Sequence, residues 1–285
     1  MSEIVDSKWA SEAPPTLFHY TSLESLKLIL CNKTIRLSPL HKMDDLQEAM
    51  TKDALGLVRY VFVSCWTDDA TESIPMWNMY AGLDSGVRIE MKIDPFRRYT
   101  YNAEQISEIV GVSAENVHFE VEGGLNTFLP LEDMQNLVSP AFLTGRGILK
   151  KVEYVSDPCL LEPEIVSTNE NQSRINIGEL GRYKNKYWEF QKEWRYILNF
   201  CPFDTFADVN TAAARLEKAF AGMIDYSNTP ALDYYDLHLD EAAMKEMKVM
   251  LSPKMPEKKK LLARALLKQH GLENCLVKSK LCGLI

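Results

Sequence analysis

The sequence predicts an α+β fold built on mixed, mainly antiparallel sheets. Three observations lead there. Apolar strand-like runs and helix-like stretches are interspersed along the 285 residues without a regular βαβ rhythm. No glycine-rich GxGxxG follows a strand and no GxxxxGK[ST] occurs, which argues against a doubly wound nucleotide fold. The clearest strand alternates apolar and polar residues, as a half-buried antiparallel strand does.

Residues 1–16 read as a polar leader ending in Pro14 and Pro15. Thr21 and Glu24 fit a capping box with Thr21 as N-cap, opening a helix from about residue 22. Leu23, Leu26, Ile29 and Leu30 form its apolar stripe. Residues 35–38 alternate as a short strand, with Arg36 and Ser38 on one side and Ile35 and Leu37 on the other. Residues 60–66 are rich in β-branched and aromatic side chains and read as a strong strand. Pro75 opens a short helix over 76–81. In 86–94, Val87, Ile89, Met91 and Ile93 point inward and Arg88, Glu90 and Lys92 outward. Another strand is expected over 149–155.

Residues 156–181 are dominated by Ser, Asn, Glu, Pro and Gly, and predict a long loop or insertion. A helix over about 182–190 leads into a strand at 194–200. Helices are expected over 210–223 and 240–247, with Asn210 and Asp240 as N-caps. The chain closes with a strand at 249–251, a helix over 256–270 stopped by Gly271, and a strand at 275–280. This order suits a single domain over 17–285 with an insertion around 97–181.

Apolar residues make up 46% and charged residues 25%, and the formal net charge is −8, so the surface as a whole is not a nucleic-acid magnet. No apolar run approaches the roughly 20 residues of a membrane span, and the acidic start lacks a signal-peptide core. Six cysteines form no CxxC and no zinc-like Cys/His spacing. Apolar neighbours mark Cys31, Cys65 and Cys201 as buried free thiols, which points to a cytoplasmic location. HExxH, paired metal carboxylates and Ser/His/Asp signatures are absent, so no metal is expected and hydrolase readings lack support.

The candidate chemistry lies in two distant motifs. Glu193 follows Gln191 by two positions, so in an extended segment both side chains share a face. Tyr187, Trp188, Phe190, Trp194 and Tyr196 around them supply walls for a cleft. An isolated strand carboxylate is most often just solvated. In such a cleft it can accept a hydrogen bond from a ribose hydroxyl and stabilise an oxocarbenium-like transition state. His19, beside Tyr20 and Thr21, suits sugar binding, although a lone histidine more often donates to a backbone carbonyl. Arg36 matches diphosphate geometry, or else a surface ion pair with Asp44, Asp45 or Glu48. Trp77 and Tyr80, three apart, make either core packing or an aromatic platform. Ser64 interrupts an apolar strand and requires a partner. Lys254, Lys258, Lys259, Lys260, Arg264 and Lys268 make the last helix basic, usually a solvated face but also a candidate phosphate-backbone contact.

Taken in order, Phe18 to Ser22, Ile35 to Ser38, Met43 to Glu48, Val63 to Trp66, Met76 to Ala81, Gly86 to Asp94 and Phe190 to Ile197 form one pattern. It resembles a bacterial family, long a domain of unknown function, that is frequent near phage-defence and toxin genes. Its members look like distant relatives of ADP-ribosyltransferases. His19 and Tyr20 match that superfamily's His-Tyr motif, and Gln191 to Glu193 its [Gln/Glu]-x-Glu motif. The layout is similar to the mRNA ADP-ribosyltransferase toxins of toxin–antitoxin–chaperone systems, apart from the long 97–180 region.

The resemblance implies a split core of two small antiparallel sheets with NAD, as substrate, in the cleft between them. It implies Glu193 as the catalytic residue. It places His19, Tyr20, Thr21, Arg36, Ser38, Ser64, Trp77, Tyr80 and Gln191 around NAD. His19 would bind the adenosine ribose, Arg36 the diphosphate, and Trp77 and Tyr80 would wall the nicotinamide. RNA is the implied acceptor, Gln191 arguing mildly against arginine, with a neutralising antitoxin and a chaperone as partners and no membrane. A non-catalytic sensor domain of a defence system and an NAD glycohydrolase remain as alternatives.

Overall fold

A computed structural model describes residues 4–53, 55–110, 124–136, 147–169, 172–200 and 232–285. The helix expected over 210–223, with Asn210, and Cys201 lie outside these. The fold is α+β, with a nine-stranded main sheet and three two-stranded ones among the described residues.

Strands β1 (Thr16–Ser22), β2 (Thr34–Pro39), β3 (Val61–Thr67) and β4 (Gly86–Lys92) begin the main sheet. β5 (Tyr99–Tyr101) and β6 (Leu125–Thr127) form a small pair. β7 (Leu149–Lys151) returns to the main sheet, while β8 (Glu153–Val155) leaves it to pair in parallel with β11 (Tyr183–Asn185). β9 (Val166–Asn169) and β10 (Gln172–Ile175) make a hairpin. β12 (Glu193–Asn199), β13 (Tyr235–His238), β14 (Lys248–Leu251) and β15 (Leu276–Val277) complete the main sheet. Its order is β13-β2-β3-β1-β4-β14-β15, with β12 on the other edge of β3 and β7 beyond it. Only β14–β15 and β8–β11 run parallel among the described pairs.

One feature of this sheet positions the site. β1 and β2 share the same edge of β3 at opposite ends. β2 meets β3 at Ser38↔Val63 and Pro39↔Phe62, whereas β1 meets it only at Phe18↔Thr67. Beyond Phe18, β1 stays paired with β4 from Thr16↔Lys92 to Ser22↔Gly86 and parts from β3. The sheet therefore opens where His19 lies.

Several expectations are corrected. The helix Leu23–Asn32 is capped by Ser22, whose Oγ accepts the Ser25 N–H at 3.0 Å, because β1 runs through Thr21, opposite Val87. Arg88 does not face solvent: the 68–81 segment covers that side of β4. Its guanidinium lies 4.4 Å from the Phe18 ring and donates to the Ala70 carbonyl. Residues 149–155 divide at Val152 into two strands that go separate ways. The 156–181 stretch carries the helix Pro158–Leu161 and the β9–β10 hairpin, and Asp53 accepts the N–H groups of Ile165 and Val166. In place of a helix over 182–190 stand β11 and the 3-10 segment Lys186–Gln191, which Asn185 caps. The closing strand shortens to Leu276–Val277. Cys31 is exposed.

The leader is also part of the fold. Ile4, Val5 and Trp9 are buried in the main core, and Val5 bridges to Leu149. The helix Glu241–Glu246 is capped as expected: Asp240 accepts from the N–H groups of Ala242 and Ala243. No described helix is long and apolar enough to cross a membrane.

Candidate active site

The parted strands leave a cavity of about 110 Å³ lined by residues from five segments. β1 contributes Phe18, His19 and Tyr20, and β3 contributes Cys65 and Trp66. Met43 and Asp44 come from the segment after β2, Met76 and Tyr80 from the helical turn, and Lys184, Gln191 and Glu193 from the approach to β12. A second cavity of about 140 Å³ also has His19 in its wall, together with Thr21, Ser25, Arg36 and Asp236. His19 thus stands between two adjoining hollows.

The local backbone explains each placement. The β1–β3 ladder ends after Phe18, so the Cys65 carbonyl is left for a side chain; the His19 Nδ1–H donates to it at 2.8 Å. That bond fixes the tautomer and leaves Nε2 as an acceptor. Ser73 caps the turn Ile74–Met76, which relaxes into the π-helical Trp77–Ala81. Such π turns are frequent at functional sites. Gly82 at φ +81° ends this one, and a Cβ on Gly86 would sit 2.3 Å from the Ala81 carbonyl oxygen, so glycine is required there. Lys192 adopts the left-handed conformation at φ 44°, ending the 3-10 segment. The stretch is therefore not extended as expected, yet Gln191 and Glu193 still line the same cavity.

Glu193 lies in a buried quartet of charges. Its Oε1 accepts from Arg195 Nε at 2.6 Å and its Oε2 from Lys184 Nζ at 3.1 Å. Glu48 forms ion pairs with the same two cations, Lys184 Nζ at 2.9 Å and Arg195 Nη1 at 2.5 Å, without a well-aligned hydrogen bond to either of its oxygens among the described residues. The Arg195 guanidinium also donates to the Gly181 carbonyl, and the Glu193 N–H to the Tyr154 hydroxyl. Burial alone would raise the Glu193 pKa, but Arg195 and Lys184 overcome it and hold the carboxyl well below its usual range. Burial likewise works against Lys184 and is outweighed by Glu193 and Glu48, so the ammonium stays charged. Burial, only partly offset by Lys184, pushes Tyr80 up to about 12, so its hydroxyl is neutral. One amide atom of Gln191 bonds that hydroxyl; the other is buried without a partner among the described residues. An orphaned polar atom beside a cavity is a place for a ligand's hydrogen bond.

The other expected site residues divide. Tyr20 lines the cavity, but its hydroxyl accepts from the Ser73 N–H and its ring meets Trp77 edge-on at 5.0 Å. Trp77 itself is fully buried, with Nε1 donating to Glu72; it lines neither of the two cavities and serves as core. Arg36 pairs with neither Asp44, Asp45 nor Glu48. It makes a two-pronged bridge to Asp236 at 2.8 and 2.9 Å and stacks on Tyr234. Thr21 belongs to the second cavity. The Ser64 hydroxyl accepts from Trp66 Nε1, and Ser38 lies opposite Val63, both outside the two cavities.

Sequence reasoning missed Glu48, Lys184 and the internal role of Arg195. The available signal was the cation at 195, between Trp194 and Tyr196 in a strand with apolar side chains on both faces.

Burial outweighs the Cys65 hydrogen bond and lowers the His19 pKa, so the imidazole is neutral in the folded chain. The unfolded state then binds the extra proton first, and stability is lost as pH falls below about 6.5 toward the lowered folded value. Thermal midpoints measured between about pH 7.5 and 5.5 should fall more steeply for the native chain than for His19→Gln.

Compared with family models, curated proteins and solved structures, the chain matches none of them.

Proposed function

We propose that this chain is an NAD-dependent ADP-ribosyltransferase toxin with RNA as acceptor, working in a phage-defence setting. One observation carries the reading: His19 from β1 and Glu193 from β12 line a single cavity at the point where the sheet parts. Such a split sheet suits a cleft for NAD. The nicotinamide ribose would occupy the cavity beside Glu193 and Tyr80. The adenosine end would reach past His19, whose Nε2 can accept from a ribose hydroxyl. Arg36 would contact the diphosphate only by exchanging Asp236 for phosphate.

In the reaction the bond between nicotinamide and ribose C1′ breaks, and its electron pair leaves with nicotinamide. Positive charge develops on the ribose beside the Glu193 carboxylate, which stabilises it. The acceptor's nucleophile then bonds to C1′ and gives its proton to water. Glu193 is too weak a base to take that proton, because two cations hold it ionised.

A second reading has its own support. Both oxygens of Glu193 already accept from a buried cation, as they would in a binding or sensor domain that kept the fold without the chemistry. Incubation with labelled NAD and total cellular RNA or protein separates the two. Labelled RNA supports the transferase, and free ADP-ribose alone supports a glycohydrolase. No nicotinamide release, with Glu193→Gln silent in cells, supports the sensor.

The acceptor would lie near the helix Glu257–Gln269. Its cations are partly engaged: Lys259 reaches Asp84 at 3.3 Å, and Lys260 and Arg264 reach Glu257, while Lys258 is exposed. Reversing the charges of Lys258, Lys259 and Lys260 should weaken RNA modification and flatten its salt dependence while leaving NAD binding intact. Unchanged RNA modification would make the helix a solvated face. A neutralising antitoxin, with or without a chaperone, would act by covering the cavity mouth or the 156–181 segment.

A further inference from the structure

We propose that Glu48 is a positioning residue: it shares Arg195 and Lys184 with Glu193 and so keeps the floor of the cavity beneath the reacting ribose electroneutral. The inference rests on the reading of Glu193 as the charge-stabilising carboxylate, and it deepens that reading.

The geometry is specific. The Glu48 side chain is 1% exposed, and its two oxygens go to different cations, Oε1 to Lys184 and Oε2 to Arg195. It arrives on the 3-10 turn Leu46–Ala49, capped by the Asp45 side chain accepting from the Gln47 N–H. Gln47 Oε1 in turn accepts from Asn185 Nδ2 at 2.8 Å, tying this turn to the strand that carries Lys184. Met43 and Asp44, just before the turn, line the cavity itself. One short segment therefore forms part of the cavity wall and supplies the second carboxylate beneath it.

The charge balance gives that carboxylate a purpose. Two carboxylates face two cations, so the quartet sums to zero. Without Glu48, two cations would converge on Glu193 alone. A net positive charge would then sit, poorly screened, beneath a ribose that itself becomes positive. The penalty falls on the transition state. Ground-state binding of NAD, whose diphosphate is anionic, would lose nothing. Glu48 should thus act on kcat and spare KM.

The test uses Glu48→Gln, which keeps the shape and removes the charge, and Glu48→Asp, which keeps the charge. In folded protein, nicotinamide release by Glu48→Gln should fall by about 10- to 100-fold in kcat, with the KM for NAD unchanged or lower. Glu48→Asp should recover part of the rate. Equal kcat in all three proteins, or loss through KM alone, overturns the proposal. A stability cycle gives a readout that needs no turnover. The fall in thermal midpoint of the Glu48→Gln/Glu193→Gln double variant should exceed the sum of the single falls, because the last carboxylate serves both cations. Additive falls mean that the carboxylates do not share them, and overturn the proposal even in an active enzyme. A super-additive cycle in a native chain that releases no nicotinamide contradicts the transferase reading and upholds the shared-cation arrangement.

Discussion

On the transferase reading proposed above, Glu193→Gln should lose most of its transfer activity. The amide preserves the shape of the side chain and removes the charge placed beside the developing ribosyl cation. Loss of one such electrostatic stabiliser costs about 10²- to 10³-fold in kcat, or about 3–4 kcal/mol. The KM for NAD should change little, since a neutral amide still accepts a ribose hydrogen bond. Single-turnover release of nicotinamide measures this directly. Because Glu193 also belongs to the buried quartet, the comparison must use protein that retains a cooperative thermal transition. A kcat within a few-fold of the native value would remove Glu193 from the chemistry.

Arg195→Leu has the largest expected effect on stability. Arg195 has no exposed surface; its guanidinium donates to Glu193 and the Gly181 carbonyl and forms an ion pair with Glu48. Leucine would leave Glu48 and Glu193 sharing one ammonium. An uncompensated buried charge of this kind costs about 3–5 kcal/mol. Arg195→Lys should not rescue it, because a point ammonium cannot hold three acceptors in one plane. The loss should depend on pH with a definite sign. In the native chain Glu193 titrates below its unfolded value, so its contribution is present above about pH 4.5 and lost as pH falls through the lower folded value. The variant lacks that contribution. The gap between the two proteins, measured by chemical denaturation, should narrow in acid. A gap independent of pH would mean that Arg195 matters through packing rather than charge.

Much of the fold was legible because its signals are local. The apolar run before Thr67, the strand Gly86–Lys92 and the Asp240 cap all occur where the sequence pattern places them. The misreadings arose where tertiary contact overrides pattern. Arg88 alternates outward in sequence, but the 68–81 segment folds across it. The stretch over 182–190 has a helical look, yet pairing with β8 draws Tyr183–Asn185 into a strand. Ser22, not Thr21, caps the first helix because strand pairing holds Thr21 opposite Val87.

The site divided along the same line. His19, Tyr80, Gln191 and Glu193 meet in one cavity, and their motifs had pointed to them. Trp77 and Tyr80 share a helical spacing, but spacing alone does not say which of the two faces the core; Trp77 does. Glu48 and Lys184 were invisible because a buried ion pair between distant segments leaves no periodic trace. Each looks like an ordinary surface charge until the partner is known.

The most direct test of the account is a structure of the chain with NAD bound. The nicotinamide ribose should lie within hydrogen-bond distance of the Glu193 carboxylate, the free Gln191 amide atom should be engaged by the ligand, and the His19 Nε2 should accept from the adenosine ribose. NAD bound elsewhere on the protein, or a cavity that stays empty at saturating NAD, would contradict it.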